Sequence, residues 1–382
     1  MSSVEEFRTE VRGWLRAHLT GEFAGLQGRG GPGREHEAFA ERLAWERHMA
    51  AHGWTCLGWP VEYGGRGAST AEQIAFHEEY ALADAPARVG HIGEQLLGPT
   101  LIDHGTEEQK RRFLPPIRAV EELWCQGYSE PGAGSDLAAV HTRATLRGGQ
   151  WTVDGQKTWT SLAHASQWCF VLARTEPGSR RHSGLSYLLV PMDQEGVEVR
   201  PIVQLTGTSE FNEVFFDGAR TDAAHVVGAP GDGWRIAMAT LGHERGVSTL
   251  GQQVGFRREL EALAALARAN GALADPLIRD RLVQAWIGLE TMRATALNPA
   301  TAPSTAKLYR SRWHRDLGEL AMDVCAAPSL LADGAHGDPY DLDDWQRLFL
   351  FSRADTIYAG SDEIQRNLIA ERILGLPKEV PA

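Results

Sequence analysis

Three short segments hold side chains able to do chemistry. The first, "WCQGYSEPGAGSDLAAVHTRA", covers residues 124–144. Gly, Pro, Ser and Asp directly ahead of β structure expose backbone amides and hydroxyls, a cradle for a phosphate or a polar ring. Composition alone favours an ordinary turn-rich entry into a sheet. The second segment is "GDGWRIAMATLGHERG", where Glu244 follows Leu241 by three and Ala237 by seven. Those spacings put it on the face they share on a helix, bordered by Trp234 and Met238. A carboxylate on an apolar face is unusual unless paired or functional. An ion pair with Arg245 or His243, or a solvated place at the edge of the stripe, would account for it equally well. The third segment, "TIYAGSDEIQRNLIAERILG", covers residues 356–375. Ser361 is placed to N-cap a helix, with Asp362 and Glu363 in its first turn. A helix N-terminus lowers a carboxylate pKa, which suits capping better than proton abstraction.

The elements that position these segments fall into three regimes. Residues 1–122 are helical in pattern. Phe7, Val11, Trp14, Leu15 and Leu19 line one face of an N-terminal helix, and "EAFAERLAWERHMAAHGW" and "STAEQIAFHEEYALADA" give two more. Thr106 with Gln109 forms a capping-box pattern opening a helix that Pro115 and Pro116 should end. Over residues 123–232 the period changes to two. "QWTVDGQKTWTS" has a hairpin signal, with Asp154-Gly155 as a type I′ turn. "QWCFVLART", "LSYLLVPM", "VEVRPIVQL" and "NEVFFDG" follow as strands of a small antiparallel, barrel-like domain. From residue 233 to 382 the pattern is helical again, with "ATALNPATAPSTAKLY" as an interhelical linker. The fold class is α+β multidomain.

Composition excludes several roles. The net charge of −12 argues against bulk nucleic-acid binding, which needs a positive field. No apolar run approaches a membrane span, and the amphipathic N-terminus lacks a signal-peptide core, so the cytoplasm is the expected compartment. Cys56, Cys125, Cys169 and Cys325 stand far apart, as ordinary thiols. The fourteen histidines show no HExxH or similar cluster, so no metal is expected.

"GYSEPGAGSD" together with "DGQKTWTS" resembles the acyl-CoA dehydrogenase family. "GWPVEYGG", "GTEEQKRRFLPPI" and "GSDEIQRNLIAERILGLPK" resemble further family segments in the same order, so the resemblance spans nearly the whole chain. It implies a helical N-terminal domain, a β middle domain and a C-terminal four-helix bundle. It also implies bound FAD. Gln126, Tyr128, Ser129, Gly134 and Ser135 fall in the first flavin-contacting loop, Trp159 and Ser161 in the second, and Ser361 and Glu363 near the flavin in the C-terminal domain. For Trp159 alone, cross-strand packing would be the simpler reading. Ser135, Arg245, Ala359 and Gly360 fall on the substrate side.

The family reaction removes an α-proton from an acyl-CoA while the β-hydrogen leaves as hydride to flavin N5, giving a 2,3-enoyl-CoA. The base must be a carboxylate in a dry site with a raised pKa, and the thioester carbonyl must be polarised. Many members place that glutamate in the final loop, where this chain has Ala359. In a minority it lies on the first helix of the C-terminal domain, and Glu244-Arg245 matches that alternative. The Ala359 N–H would still serve the thioester oxygen. The chain departs from the family in two segments that reach a neighbouring subunit's FAD, carrying "GFRRELEALAALARANGALADP" and "LAMDVCAAPSLLADGAHGDPY" there. The expected assembly is therefore a dimer or tetramer, homo- or hetero-oligomeric, with an electron-transfer flavoprotein as acceptor. The alternatives are an oxidase or monooxygenase of the same fold, with His243 as a rival base, or a catalytically silent scaffold subunit.

Overall fold

Helix α1 (Ser3–His18) forms where Phe7, Val11 and Leu15 recur every fourth residue and are buried, with acids in its first turn and Arg16 and His18 in its last. Helix α2 (Phe39–Ala51) and helix α3 (Thr70–Leu82) complete the first core, where Trp45, Met49, Trp54 and Phe76 meet the α1 stripe. Helix α4 (Gly98–His104) and helix α5 (Glu107–Arg118) follow, and Thr106 with Gln109 makes the expected capping box. The prolines do not end α5: Pro115 and Pro116 lie inside it. The carbonyls that lose their donors belong to Arg111 and Arg112, which face solvent, so water can replace the missing bonds.

The computed structural model describes residues 3–243, 248–296, 298, 302–331 and 341–378. It divides into one unit of residues 1–204 with 208–246 and another of 205–207 with 247–382.

The first unit continues into a sheet of β1 (Trp124–Gly127), β2 (Arg143–Arg147), β3 (Gln150–Ser161), β4 (Trp168–Arg174), β5 (Leu185–Pro191), β6 (Val197–Ile202), β7 (Phe211–Asp222) and β8 (Val226–Val227). Its order is β6-β7-β3-β2-β4-β5-β8, with β1 beside β4. Most pairs are antiparallel, and β1–β4 is parallel. One expectation is corrected. "QWTVDGQKTWTS" is one strand, not a hairpin. The β2–β3 turn is made by Gly148 and Gly149, both at positive φ (56° and 79°), the geometry a type I′ turn demands. Asp154-Gly155 instead marks a register shift against β7, where Asp154 Oδ1 accepts the Gly218 N–H at 2.9 Å.

Helix α6 (Gly233–His243) lies against this sheet. Ile236, Ala237 and Thr240 are fully buried, and Thr240 Oγ1 is 2.9 Å from Thr100 Oγ1 on α4. Gly233 is required here, because a Cβ would sit 2.6 Å from the Ser186 backbone.

The second unit is a helical bundle of α7 (Ser248–Ala269), α8 (Pro276–Ala296), α9 (Pro303–Cys325), α10 (Asp344–Asp355) and α11 (Asp362–Leu368), the last running on as a π turn to Ile373. Leu263, Leu289, Trp313, Leu317 and Leu320 fill its core. The linker read over residues 294–309 is shorter than its composition suggests: α8 runs to Ala296, and α9 starts on Pro303, whose fixed φ suits a first turn. Among the described residues no helix is long and apolar enough to cross a membrane.

Candidate active site

In the first unit the fold brings two sequence segments together. The Thr158 N–H donates to the Ser129 carbonyl at 2.9 Å, stitching the loop after β1 to the middle of β3. This puts Gln126, Ser129, Gly134 and Ser135 on a segment bonded to the one bearing Trp159 and Ser161. Gly134 and Ser135 are exposed, and a Cβ at Gly134 would meet nothing within 4 Å. Tyr128 differs from its neighbours. Its ring is buried edge-on to Phe170 and Tyr187, so it is a core aromatic that offers the loop its backbone.

What holds the loop is a buried cation that sequence reasoning passed over. The Lys157 ammonium is fully buried and donates to the Tyr128 carbonyl (3.0 Å), the Leu172 carbonyl (2.8 Å) and Glu130 Oε1 (2.8 Å). The Glu130 carboxylate also accepts the His141 and Thr142 N–H groups at 2.6 and 2.9 Å. Burial alone would raise the Glu130 pKa, but the Lys157 charge and these hydrogen bonds hold it below the usual carboxylate range. Burial pulls Lys157 down, with Glu130 opposing it. The signal was a lysine at an inward position of a strand and a glutamate inside a glycine-rich turn, charges that such sites do not hold unpaired.

Trp159 is the opposite case. It is 57 % exposed, and it occupies the left-handed region (φ 57°) where β3 breaks register with β7. Its recorded ring contact is Phe211, centroids 6.0 Å apart and tilted 75°. A large indole held outward at a strained backbone position packs little of the protein's own core. Trp159→Ala is therefore expected to change unfolding of the flavin-free protein by no more than about 0.5 kcal/mol. It should nonetheless lower the flavin-to-protein absorbance ratio of the purified protein. Beyond Ser161, an open cavity of about 620 Å³ is lined by His164, Ser166, Asn212 and others at the β6–β7 end of the sheet.

In the second unit Ser361 caps α11 as expected, accepting the Ile364 N–H at 3.4 Å. Ahead of it, Ala359 is at φ 54° and Gly360 at φ 82°. Gln365 Nε2 donates to both of their carbonyls (3.3 and 3.2 Å), and the Ala359 N–H has no acceptor among the described residues. Asp355 anchors the loop from behind: its carbonyl accepts from Lys307 at 2.8 Å, and its carboxylate accepts from the Tyr358 hydroxyl and meets His314. Burial by itself would lower the His314 pKa, but Asp355 and Glu259 push it up to about 9. A pKa raised above its unfolded value gives stability that is complete below pH 6.5 and lost as pH rises through 9. Unfolding stability is thus expected to fall by roughly 2–3 kcal/mol more between pH 7 and 10 in the natural protein than in His314→Gln, followed by denaturant titration.

The rival carboxylates of this loop are occupied or exposed. Asp362 is buried, accepting from Ser311 Oγ at 2.8 Å and Arg312 Nε at 3.1 Å, with Lys307 Nζ at 3.8 Å. Glu363 lies in the open with its side chain 74 % exposed, 3.5 Å from Arg366. His243 ends α6 with Nε2 at 3.5 Å from Asp103. Glu244 and Arg245 lie outside the described residues.

Helices, an antiparallel-rich sheet and a second helical bundle, with a donor-rich loop stitched to an outward-facing indole, define a flavin-dependent dehydrogenase architecture. The chain belongs to the acyl-CoA dehydrogenase family. The N-terminal, middle and C-terminal domain models of that family match residues 2–121, 125–219 and 231–374. The chain is 66 % identical to acyl-CoA dehydrogenase IpdE1 of Mycobacterium tuberculosis, over 99 % of each chain. It is 62 % identical to the Mycolicibacterium smegmatis protein of the same name over 100 % of each. Among solved structures it is similar to the Tcur3481-Tcur3483 steroid ACAD (TM-score 0.83, 30 % identity, 99 % of each chain). It is also similar to the ChsE4-ChsE5 complex of Mycobacterium tuberculosis (TM-score 0.80, 28 % identity, 99 % of each chain). The protein is an acyl-CoA dehydrogenase, and its cofactor is FAD. The structure fits that cofactor: the exposed Trp159 and the exposed Gly134–Ser135 stretch, with its backbone and hydroxyl, suit a flat, polar aromatic ring.

Proposed function

We propose that the chain oxidises an acyl-CoA to its 2,3-enoyl-CoA with Glu244 as the base, and that the acyl group is bulky and steroid-derived. The observation that carries the choice of base is the final loop. Ala359 cannot take a proton, Asp362 is tied to Arg312 and Ser311, and Glu363 is exposed. In sequence, Glu244 follows Thr240 by four and Ala237 by seven, two positions that α6 buries completely. A carboxylate at that spacing would meet the requirement for a desolvated base with a raised pKa. The Ala359 N–H would donate to the thioester oxygen and stabilise enolate charge, with Gly360 leaving room beside it. Arg245 and Ser135 would hold the thioester. Gln126, the Tyr128 backbone, Ser129, Gly134, Ser135, Trp159, Ser161, Ser361 and Glu363 would hold FAD, which supplies the two-electron acceptor for the β-hydrogen. The electrons would pass on to an electron-transfer flavoprotein in the cytoplasm.

The steroid class is supported by similarity to the steroid ACAD, and a mixed oligomer by the two-component names of both neighbours. The test is anaerobic addition of straight-chain, branched and steroid side-chain acyl-CoAs to the purified chain. Bleaching of the flavin by the polycyclic thioesters is expected. Bleaching by straight chains alone would overturn the substrate assignment, and oxygen uptake coupled to turnover would favour an oxidase. A chain purified without stoichiometric flavin would place the FAD in a shared site.

A further inference from the structure

Away from this machinery, three histidines converge at the end of the first helical layer. His18 closes α1, His48 lies in the last turn of α2, and His52 follows α2 as its C-cap. One ligand atom from each lies within 4.8 Å of the others. His18 Nδ1 and His48 Nε2 are 2.8 Å apart, and the His52 ring is 4.4 Å from that of His48 and 4.8 Å from that of His18.

From this convergence we infer that His18, His48 and His52 form a binding site for a divalent transition-metal ion, with Zn²⁺ the best match, clipping the end of α1 to the end of α2. Imidazole-only donor sets select zinc, nickel or copper over calcium and magnesium. His48 and His52 stand at i and i+4, which puts both rings on one helical face, as in known two-histidine zinc ligands. The His52 Nδ1 lies 2.8 Å from the His48 carbonyl. That bond fixes the tautomer and leaves Nε2 for the ion, the arrangement that backbone carbonyls impose on metal-bound histidines. Trp14 stacks on the His18 ring at 4.6 Å and 18°, and Trp45 and Phe23 flank His48 at 5.9 and 5.3 Å, so two of the ligands are held by packing. Water would complete a tetrahedron. Tetrahedral Zn–N bonds of about 2.0–2.1 Å need nitrogens about 3.3 Å apart. The His18–His48 pair must open by roughly half an ångström, and His52, exposed at its helix end, must close in.

Calorimetric titration of the flavin-loaded protein with Zn²⁺ tests the site. One equivalent should bind and raise the unfolding temperature. His52→Ala and His48→Ala should each weaken binding by about 10-fold or more, since even outer-shell losses cost 10–100-fold. Flavin content and turnover of both variants should match the natural protein. Should His48→Ala fold poorly, His52→Gln at the exposed ligand carries the same expectation. Absence of Zn²⁺ binding by the natural protein, or unchanged affinity in the variants, would overturn the assignment.

Discussion

Replacing Glu244 by glutamine is expected to slow substrate-dependent bleaching of the flavin by about 10²–10⁴-fold, the usual contribution of a positioned general base. That is roughly 3–5 kcal/mol of barrier. Glutamine keeps the length and hydrogen-bonding reach of the side chain but cannot accept the α-proton. Flavin content and unfolding temperature should stay unchanged, which separates loss of the base from loss of the site. A second substitution sharpens the result. Ala359→Glu, added to Glu244→Gln, returns a carboxylate to the loop from which many family members work, and it should restore part of the rate. Asp362→Asn should behave in the opposite way. It breaks an ion pair with Arg312 and a hydrogen bond from Ser311, so it should lower stability more than turnover. Bleaching at the normal rate by Glu244→Gln would show that the proton goes elsewhere.

Lys157→Met should be the most damaging change outside the chemistry. It removes one partner of a buried pair and leaves the Glu130 charge uncompensated, a loss of about 3–5 kcal/mol. For a unit of this size that is roughly 10 °C in unfolding temperature. The Tyr128 and Leu172 carbonyls lose their donor as well. Because the same ammonium ties the 128–130 turn to β3, bound flavin should fall along with stability. Adding Glu130→Gln to Lys157→Met removes the stranded charge and should recover part of the stability without recovering the flavin. Denaturant titration with flavin quantified at each stage separates the two effects. If Lys157→Met keeps its flavin at lowered stability, the latch is structural only.

Helix faces and caps were legible because their signals are local. Thr106 with Gln109 caps as its spacing requires, and Ser361 caps α11. The misread elements turned on non-local competition. Asp154-Gly155 carries a strong turn signal, but the long partner strand β7 runs past it and absorbs the glycine as an irregularity, while Gly148-Gly149 makes the turn. Pro115 and Pro116 stay helical because their lost bonds point to water. Lys157 and Glu130 lay inside motifs already singled out, yet their partnership spans 27 residues and needs the sheet register to appear. His48 and His52 are only four residues apart, but their convergence with His18 joins two helices and needs the fold to appear.

The final loop has one more consequence, for protein engineering. Its anchors reach it through Asp355, Gln365, Asp362 and the main chain; none grips the side chain at position 359. On the proposed assignment of the base to Glu244, that position would serve as a dial on which acyl groups are accepted. The left-handed backbone sets the range of the dial: glycine, asparagine, aspartate and histidine fit at little cost, whereas valine, isoleucine and threonine would strain the turn. On that assignment, a small library at this one codon should alter substrate scope while leaving the proposed base untouched.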